Sequence, residues 1–194
     1  DMRLRPSGDS GMLVSHVEGF ADYQRSEAWT WEHQALIRAR AIIGDPGLQA
    51  RFAPIRHETL TRPRDADRLR HEVAGMRERL RKEQKTAGSA QFDIKQGTGG
   101  IIDIEFLVQY LVLRHAHRHP SIVRWTDNVR LLQALNEAGI LDNPTAFRLR
   151  RAYLIYRAMV HRLNLAQQSA HVANDRFEQH CRFVVDTWKR FLGA

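Results

Sequence analysis

Gly99-Gly100-Ile101-Ile102-Asp103-Ile104-Glu105-Phe106-Leu107-Val108-Gln109-Tyr110-Leu111-Val112-Leu113 decides the fold of this 194-residue chain. Its apolar residues fall on nearly every side of a helical period, which predicts a helix over 101–117 enclosed by other helices. Asp103, Glu105 and Gln109 interrupt the run, so it does not read as a membrane span. Acids on such a helix need partners when buried. Arg130 and Arg157, on neighbouring predicted helices, are the candidates. Glu105 and Gln109 share a face by their four-residue spacing.

The sequence around this stretch reads as more helices. Downstream, Thr126 or Asp127 caps a helix ending at Gly139. Pro144 opens a long one to about Gln168, with Leu149, Ala152, Tyr153, Tyr156, Met159, Val160 and Leu163 on one face. Phe177, Cys181, Val184, Val185, Trp188 and Leu192 mark a last helix. Residues 101–194 thus predict an antiparallel bundle. Upstream, 64–84 is a strongly charged linker helix with a narrow stripe of Leu69, Val73, Met76 and Leu80. Asp65-Ala66-Asp67 caps its start. Helices are expected over 16–26, 29–43 and 46–60, the first with a capping box from Ser15 to Glu18 and the second ended by Gly44. Alternation in Asp1-Met2-Arg3-Leu4-Arg5 and the short Met12-Leu13-Val14 predict remnant strands.

Composition narrows the class. The net charge is +8, with Arg supplying 26 of the 30 basic residues. That balance suits phosphate or nucleotide partners. The basic residues are scattered among acids with no aromatic-interleaved run, which argues against a nucleic-acid binder. No apolar run long enough to span a bilayer occurs, and neither a membrane partner nor a signal core is expected. The lone Cys181 fits a cytoplasmic setting and sits on an apolar face as a packing residue.

Four clusters exceed what packing demands. In Asp1-Met2-Arg3-Leu4-Arg5, a carboxylate beside two guanidiniums suits a metal-bound phosphate, and an edge strand with gatekeeper charges is the alternative. In Trp31-Glu32-His33-Gln34-Ala35-Leu36-Ile37-Arg38-Ala39-Arg40, the two arginines diverge by about 200° around a helix, so they cannot both serve one site. Lys95-Gln96-Gly97-Thr98-Gly99-Gly100 enters a helix with free amides, an anion seat without a Walker or Rossmann pattern. His115, His117 and His119 do not converge as ligands on a helix.

The first three clusters together resemble the glutamine synthetase adenylyltransferases. Asp1-Met2-Arg3-Leu4-Arg5-Pro6-Ser7-Gly8, Ala28-Trp29-Thr30-Trp31-Glu32-His33-Gln34-Ala35-Leu36, Gly99 to Phe106 and Arg124-Trp125-Thr126-Asp127-Asn128-Val129-Arg130 carry the resemblance. The wording is similar to the half of that family that adds AMP, and the glycine turn also resembles the uridylyltransferases that modify the PII signal protein. The resemblance implies a mainly α chain: the end of a polymerase-β-like nucleotidyltransferase domain over 1–62, then a helical domain over 63–194. It implies that Asp1 is a catalytic, metal-binding carboxylate for Mg2+, with ATP as substrate and a tyrosine of glutamine synthetase as acceptor. Arg3 and Arg5 become neighbours of the nucleotide, with Arg38, Arg40 and Lys95 as further phosphate-binding candidates. Asp103 and Glu105 are expected to hold the helical domain against the catalytic one. Glutamine synthetase, PII and the effector glutamine are the implied partners. The chain has no Gly-Ser loop followed by an acidic pair, so the piece by itself is expected to be inactive. A helical module that docks glutamine synthetase or PII without chemistry is the alternative.

Overall fold

The computed structural model describes residues 11, 14–83 and 91–193. The expected strands over 1–5 and 12–14 lie outside the described residues, apart from Val14, which is an exposed bend, as does an expected loop over 86–91 apart from Gln91, which is the first residue of a strand. The described residues form α1 (Val17–Ser26), α2 (Thr30–Arg38), α3 (Pro46–Thr61), α4 (Ala66–Lys82), β1 (Gln91–Asp93), α5 (Ile101–His115), α6 (Asn128–Glu137), α7 (Asn143–Leu165), β2 (His171–Ala173) and α8 (Glu178–Leu192). The chain is mainly α, as its periodicity implies.

α5 is the axis. It packs against α2, α3, α4, α6, α7 and α8. Ile104, Leu107, Val108, Leu111, Val112 and Leu113 are all fully buried. Each such side chain contributes about 1.5–3 kcal/mol by leaving water. One apolar cluster runs from Leu36, Ile37 and Leu60 through Leu69 and Val73 to α5 and on to Leu149, Tyr156, Val184 and Trp188. α1 lies outside this axis, on α3.

The helix starts follow local chemistry. Asp45, Asp65, Asp127 and Asp142 each accept the amide three residues on, from Leu48 (3.1 Å), Arg68 (2.7 Å), Arg130 (3.0 Å) and Thr145 (2.8 Å). These bonds satisfy amides that have no partner inside the helix. α1 departs from the expected capping box. Its N-cap is His16 rather than Ser15, and no side chain caps it. α2 also stops early, at Arg38 rather than near Ile43, with Ala39 already extended. The cause is Arg56 of α3. Its guanidinium takes the Leu36 carbonyl at 3.1 Å and the Ile37 carbonyl at 2.6 Å, the acceptors that a further helical turn would use. Arg40, Ile42 and Ile43 therefore lie in an exposed connection.

β1 and β2 form an antiparallel pair with Phe92 opposite Val172. The sequence predicts a short extended segment over 92–95; the strand covers 91–93 with 94 and 95 already in the turn, and the partner strand His171–Ala173 is not legible. Ile94 continues the contact by donating to the Ala170 carbonyl at 2.9 Å. This two-stranded clip ties the entry of α5 to the segment before α8. The following turn needs glycine at three positions, and a Cβ on Gly97 would stand 2.5 Å from the Asp93 carbonyl oxygen. Gly99 has φ +84°, and a Cβ there would stand 2.7 Å from the Cys181 carbonyl oxygen. A Cβ on Gly100 would stand 2.6 Å from the Ile94 carbonyl oxygen. The backbone of the turn is thereby pressed against α8 on one side and the clip on the other.

Candidate functional site

The glycine turn is closed by the chain itself. Asp103 Oδ2 accepts the Gly99 amide at 2.7 Å. Gly97 donates to Asp93, Gly100 to Gly97, Ile101 to Ile94 and Ile102 to Lys95. The amides of Lys95 and Gln96 bond Asp93 Oδ1 at 2.8 and 3.0 Å. The expected anion seat is therefore occupied by the carboxylate of Asp103, and the free amides that such a seat requires are already engaged.

Asp103 does not pair with Arg130 or Arg157, as spacing suggested. Its partners come from α4. Arg77 Nε meets Oδ1 at 2.6 Å, and Arg81 Nη2 meets Oδ2 at 2.7 Å. Side-chain exposure is 0% for Arg77 and 1% for Asp103. Arg77 also donates to the Gln96 carbonyl at 2.5 Å, so it braces the turn from below. The guanidinium of Arg81 lies 5.5 Å from the centre of the Trp188 ring on α8. One buried carboxylate thus joins α4, α5, the glycine turn and, through Arg81, α8. The signal for Arg77 lay in the row Leu69, Val73, Arg77, Arg81, four residues apart on one face of the charged helix. Arg130 instead bonds Asp127 at 2.6 Å and stacks 4.4 Å from the Trp125 ring. Among the described residues Arg157 forms no ion pair with a carboxylate.

Glu105 and Gln109 face α2. Glu105 Oε1 accepts from Arg38 Nη1 at 3.1 Å and from the Tyr153 hydroxyl at 3.2 Å. One turn away Gln34 Nε2 donates to Gln109 Oε1 at 3.0 Å. These are two rungs between antiparallel helices, and they fix the register of α2 on the central axis. Arg38 precedes residue 62 and Glu105 follows it, whereas both guanidinium partners of Asp103, Arg77 and Arg81, follow it. Burial, then the Glu105 charge, pushes the Tyr153 hydroxyl above its ordinary range.

The Trp-Glu-His-Gln segment is largely consumed by such contacts. Glu32 accepts the Trp29 amide at 2.8 Å and the Tyr23 hydroxyl at 2.8 Å. Thr30 bonds Glu72 of α4. His33 Nε2 lies 3.2 Å from the Gln24 carbonyl, and its Nδ1 lies 3.4 Å from Arg62 Nη2. A neutral ring that donates from Nε2 and accepts at Nδ1 satisfies both neighbours. Trp29 is largely exposed, at 66%. It borders an open groove of about 1050 Å³ between this segment and α4, together with Trp31, Arg64, Arg68, Met76 and Arg79.

Three guanidiniums that the sequence did not single out close helix ends. Arg62 reaches the Arg25 carbonyl at the end of α1 at 3.0 Å. Arg56 closes α2 and also takes the Val123 carbonyl at 2.6 Å and the Trp125 carbonyl at 3.4 Å. Arg64 closes α3 through the Thr59 carbonyl at 2.7 Å and the Leu60 carbonyl at 3.1 Å. Each meets the negative pole of a helix rather than a carboxylate. Burial, then the charge of Arg62, pulls Arg64 down to about 10.

Three of the phosphate-binding candidates fall among the described residues. Arg38 is committed to Glu105, while Arg40 and Lys95 are exposed and on separate connections. The three share no partner. Asp1, Arg3 and Arg5 lie outside the described residues. Among the described residues no three His, Cys, Asp or Glu side chains group as a metal site. Asp93 is held by the Lys95 and Gln96 amides, and Asp103 and Glu105 by guanidiniums, so these described acids do not fit Mg2+. Cys181 donates to the Thr98 carbonyl at 3.0 Å, and burial first, then Asp103, raises its thiol. A thiol so placed packs rather than attacks.

Burial, then Arg62, depresses His33 to about 4. Burial, then Arg114, depresses His115 to about 4. Both rings bind a proton more readily in the unfolded chain, so stability rises with pH between about 4 and 6.5. Acidification through that window is expected to cost His33 on the order of 3 kcal/mol. Urea midpoints measured across the window should fall steadily toward acid, and His33→Asn should flatten the slope. An unchanged slope would refute the assignment of that proton.

No helix among the described residues is long and apolar enough to cross a membrane. Residues 1–55 match the family model of glutamate-ammonia ligase adenylyltransferase. Residues 67–179, which carry α4 to α7, the clip and the Asp103 network, match the family model of GlnD PII-uridylyltransferase. Arg38 lies in the first match and Glu105 in the second, so their ion pair joins the two. The second match covers more than half of the chain, so the chain belongs to the family of that model, and over residues 1–55 it is similar to the glutamate-ammonia ligase adenylyltransferases; both are nucleotidyltransferase families.

Proposed function

We propose that this chain is the carboxyl-terminal part of the enzyme that adenylylates a tyrosine of glutamine synthetase from ATP and removes the AMP by phosphorolysis. The observation that carries the reading is the double rung Arg38–Glu105 and Gln34–Gln109. It fastens the segment with adenylyltransferase wording onto the helical body in one register. In this reading 1–62 ends the catalytic domain and 63–194 is the helical domain behind it. Asp1 supplies a metal-binding carboxylate, and Arg3 and Arg5 stand beside the nucleotide phosphates. The enzyme works in the cytoplasm and answers to PII and glutamine. The described residues do no chemistry here. They hold α2, and with it the end of the catalytic domain, against a rigid axis.

The chain alone should transfer no AMP to glutamine synthetase. Within the full-length enzyme, Asp1→Ala should lower AMP transfer by at least about a hundredfold and leave glutamine synthetase binding unchanged. Full transfer by that variant, or transfer by the chain alone, would overturn the reading. A docking module without chemistry would bind its partner equally well with or without Asp1 and would show no magnesium-dependent ATP binding when the preceding segment is present.

A further inference from the structure

α7 carries five arginines, a histidine and not one acidic residue over its length. Other helices differ. On α4, Arg68 meets Glu72, Arg70 meets Asp67 and Arg81 meets Glu78. On α1, Arg25 meets Asp22. On α7, Arg148 stacks 3.8 Å from the Phe183 ring, and none of Arg150, Arg151, Arg157 and Arg162 forms an ion pair with a described carboxylate. All four are exposed.

The same face is apolar along its centre. Phe147 is 60% exposed, Leu154 46% and Leu165 74%. With the exposed Ala158 they lie within about 20° of one line at about 100° per residue. Arg150 and Arg157 flank that line on one side, and Arg151 and Arg162 on the other. The opposite face of α7, with Leu149, Ala152, Tyr156 and Val160, is spent on the core. Aligned on one face, Phe147, Leu154 and Leu165 form an apolar line that stays exposed among the described residues.

We propose that this face of α7 docks an acidic amphipathic helix of a partner protein, whose apolar seam covers Phe147, Leu154 and Leu165 and whose carboxylates meet the four guanidiniums. Charge complementarity selects the occupant. The seam spacing suits a helix laid alongside, and arginine on both flanks asks for acids on both flanks of the visitor. A second copy of the chain would set arginine against arginine. The proposal does not depend on the AMP-transfer reading, because it rests on α7 alone.

The test uses a synthetic helix of about three heptads with leucines along one face and glutamates on both flanks, and a scrambled peptide of the same composition. Amide shifts of the labelled chain should map the first peptide to α7, with a dissociation constant at least about tenfold lower than that of the scrambled one. Leu154→Asp, and separately the pair Arg150→Glu with Arg157→Glu, should each weaken binding by at least about tenfold. Both sites are exposed, and the pair leaves the apolar line intact if one variant folds poorly. Equal affinity for the scrambled peptide, or shifts mapping elsewhere, would overturn the proposal. So would self-association lost in the same variants, or phosphatidylglycerol vesicles bound by the wild type more tightly than the peptide is.

Discussion

Asp103→Ala is expected to destabilise the chain by about 3–5 kcal/mol, a large share of the roughly 5–15 kcal/mol that holds a domain together. The substitution strands the Arg77 guanidinium, which has no exposure, and removes the acceptor of the Gly99 amide. Arg81 loses its partner as well but is partly exposed and keeps Glu78 within 3.7 Å. The loss should therefore come mainly from Arg77. Combining Asp103→Ala with Arg77→Met should recover much of it, because a buried pair deleted together leaves no naked charge. Denaturant unfolding of both single variants and the double variant measures the coupling. Additive losses would mean that the two residues act separately. Glu105→Gln serves as the contrast. Its partner Arg38 is 45% exposed, and that pair is worth about 1 kcal/mol or less.

The second large effect is expected at Arg56. Arg56→Met keeps the apolar stem but removes donors from the carbonyls of Leu36, Ile37, Val123 and Trp125. Buried carbonyls left without donors make this cost roughly 2–4 kcal/mol. Burial already pulls the Arg56 guanidinium below its ordinary range, which records how little water reaches it. Arg56→Lys should recover only part of the loss, since one ammonium cannot span carbonyls on two separate elements. Thermal unfolding compares the three proteins, and a lysine variant as stable as the wild type would contradict the multi-carbonyl account.

What the sequence reveals and what it hides follow from the range of each interaction. α5 is legible because its apolar residues surround it, and α7 and α8 because theirs repeat at helical spacing. The caps at Asp65 and Asp127 are legible because capping is local, whereas Asp142, the cap of α7, is passed over in favour of Pro144. The end of α2 is not, because it is set by Arg56, far along the chain, and no local rule contains it. The pairing of Asp103 is misjudged for a related reason. An acid on a buried helix announces that it needs a cation but not which helix supplies it. The glycine turn is misjudged because the residue that fills it, Asp103, looks from the sequence like a dipole-friendly first-turn acid. Glu105 is better served, since its spacing to Gln109 gives a face, and that face proves to be the one that meets α2. The Asp1, Arg3 and Arg5 cluster lies outside the described residues.

The rungs between α2 and α5 bear on how members of this family can be recombined. A chimera that joins the front of one enzyme to the helical body of another, cut at Pro63, would separate Gln34 and Arg38 from the Gln109 and Glu105 with which they mesh. In this chain those four positions interlock across the proline, so a graft that moves the α2–α5 pair together keeps the seam intact.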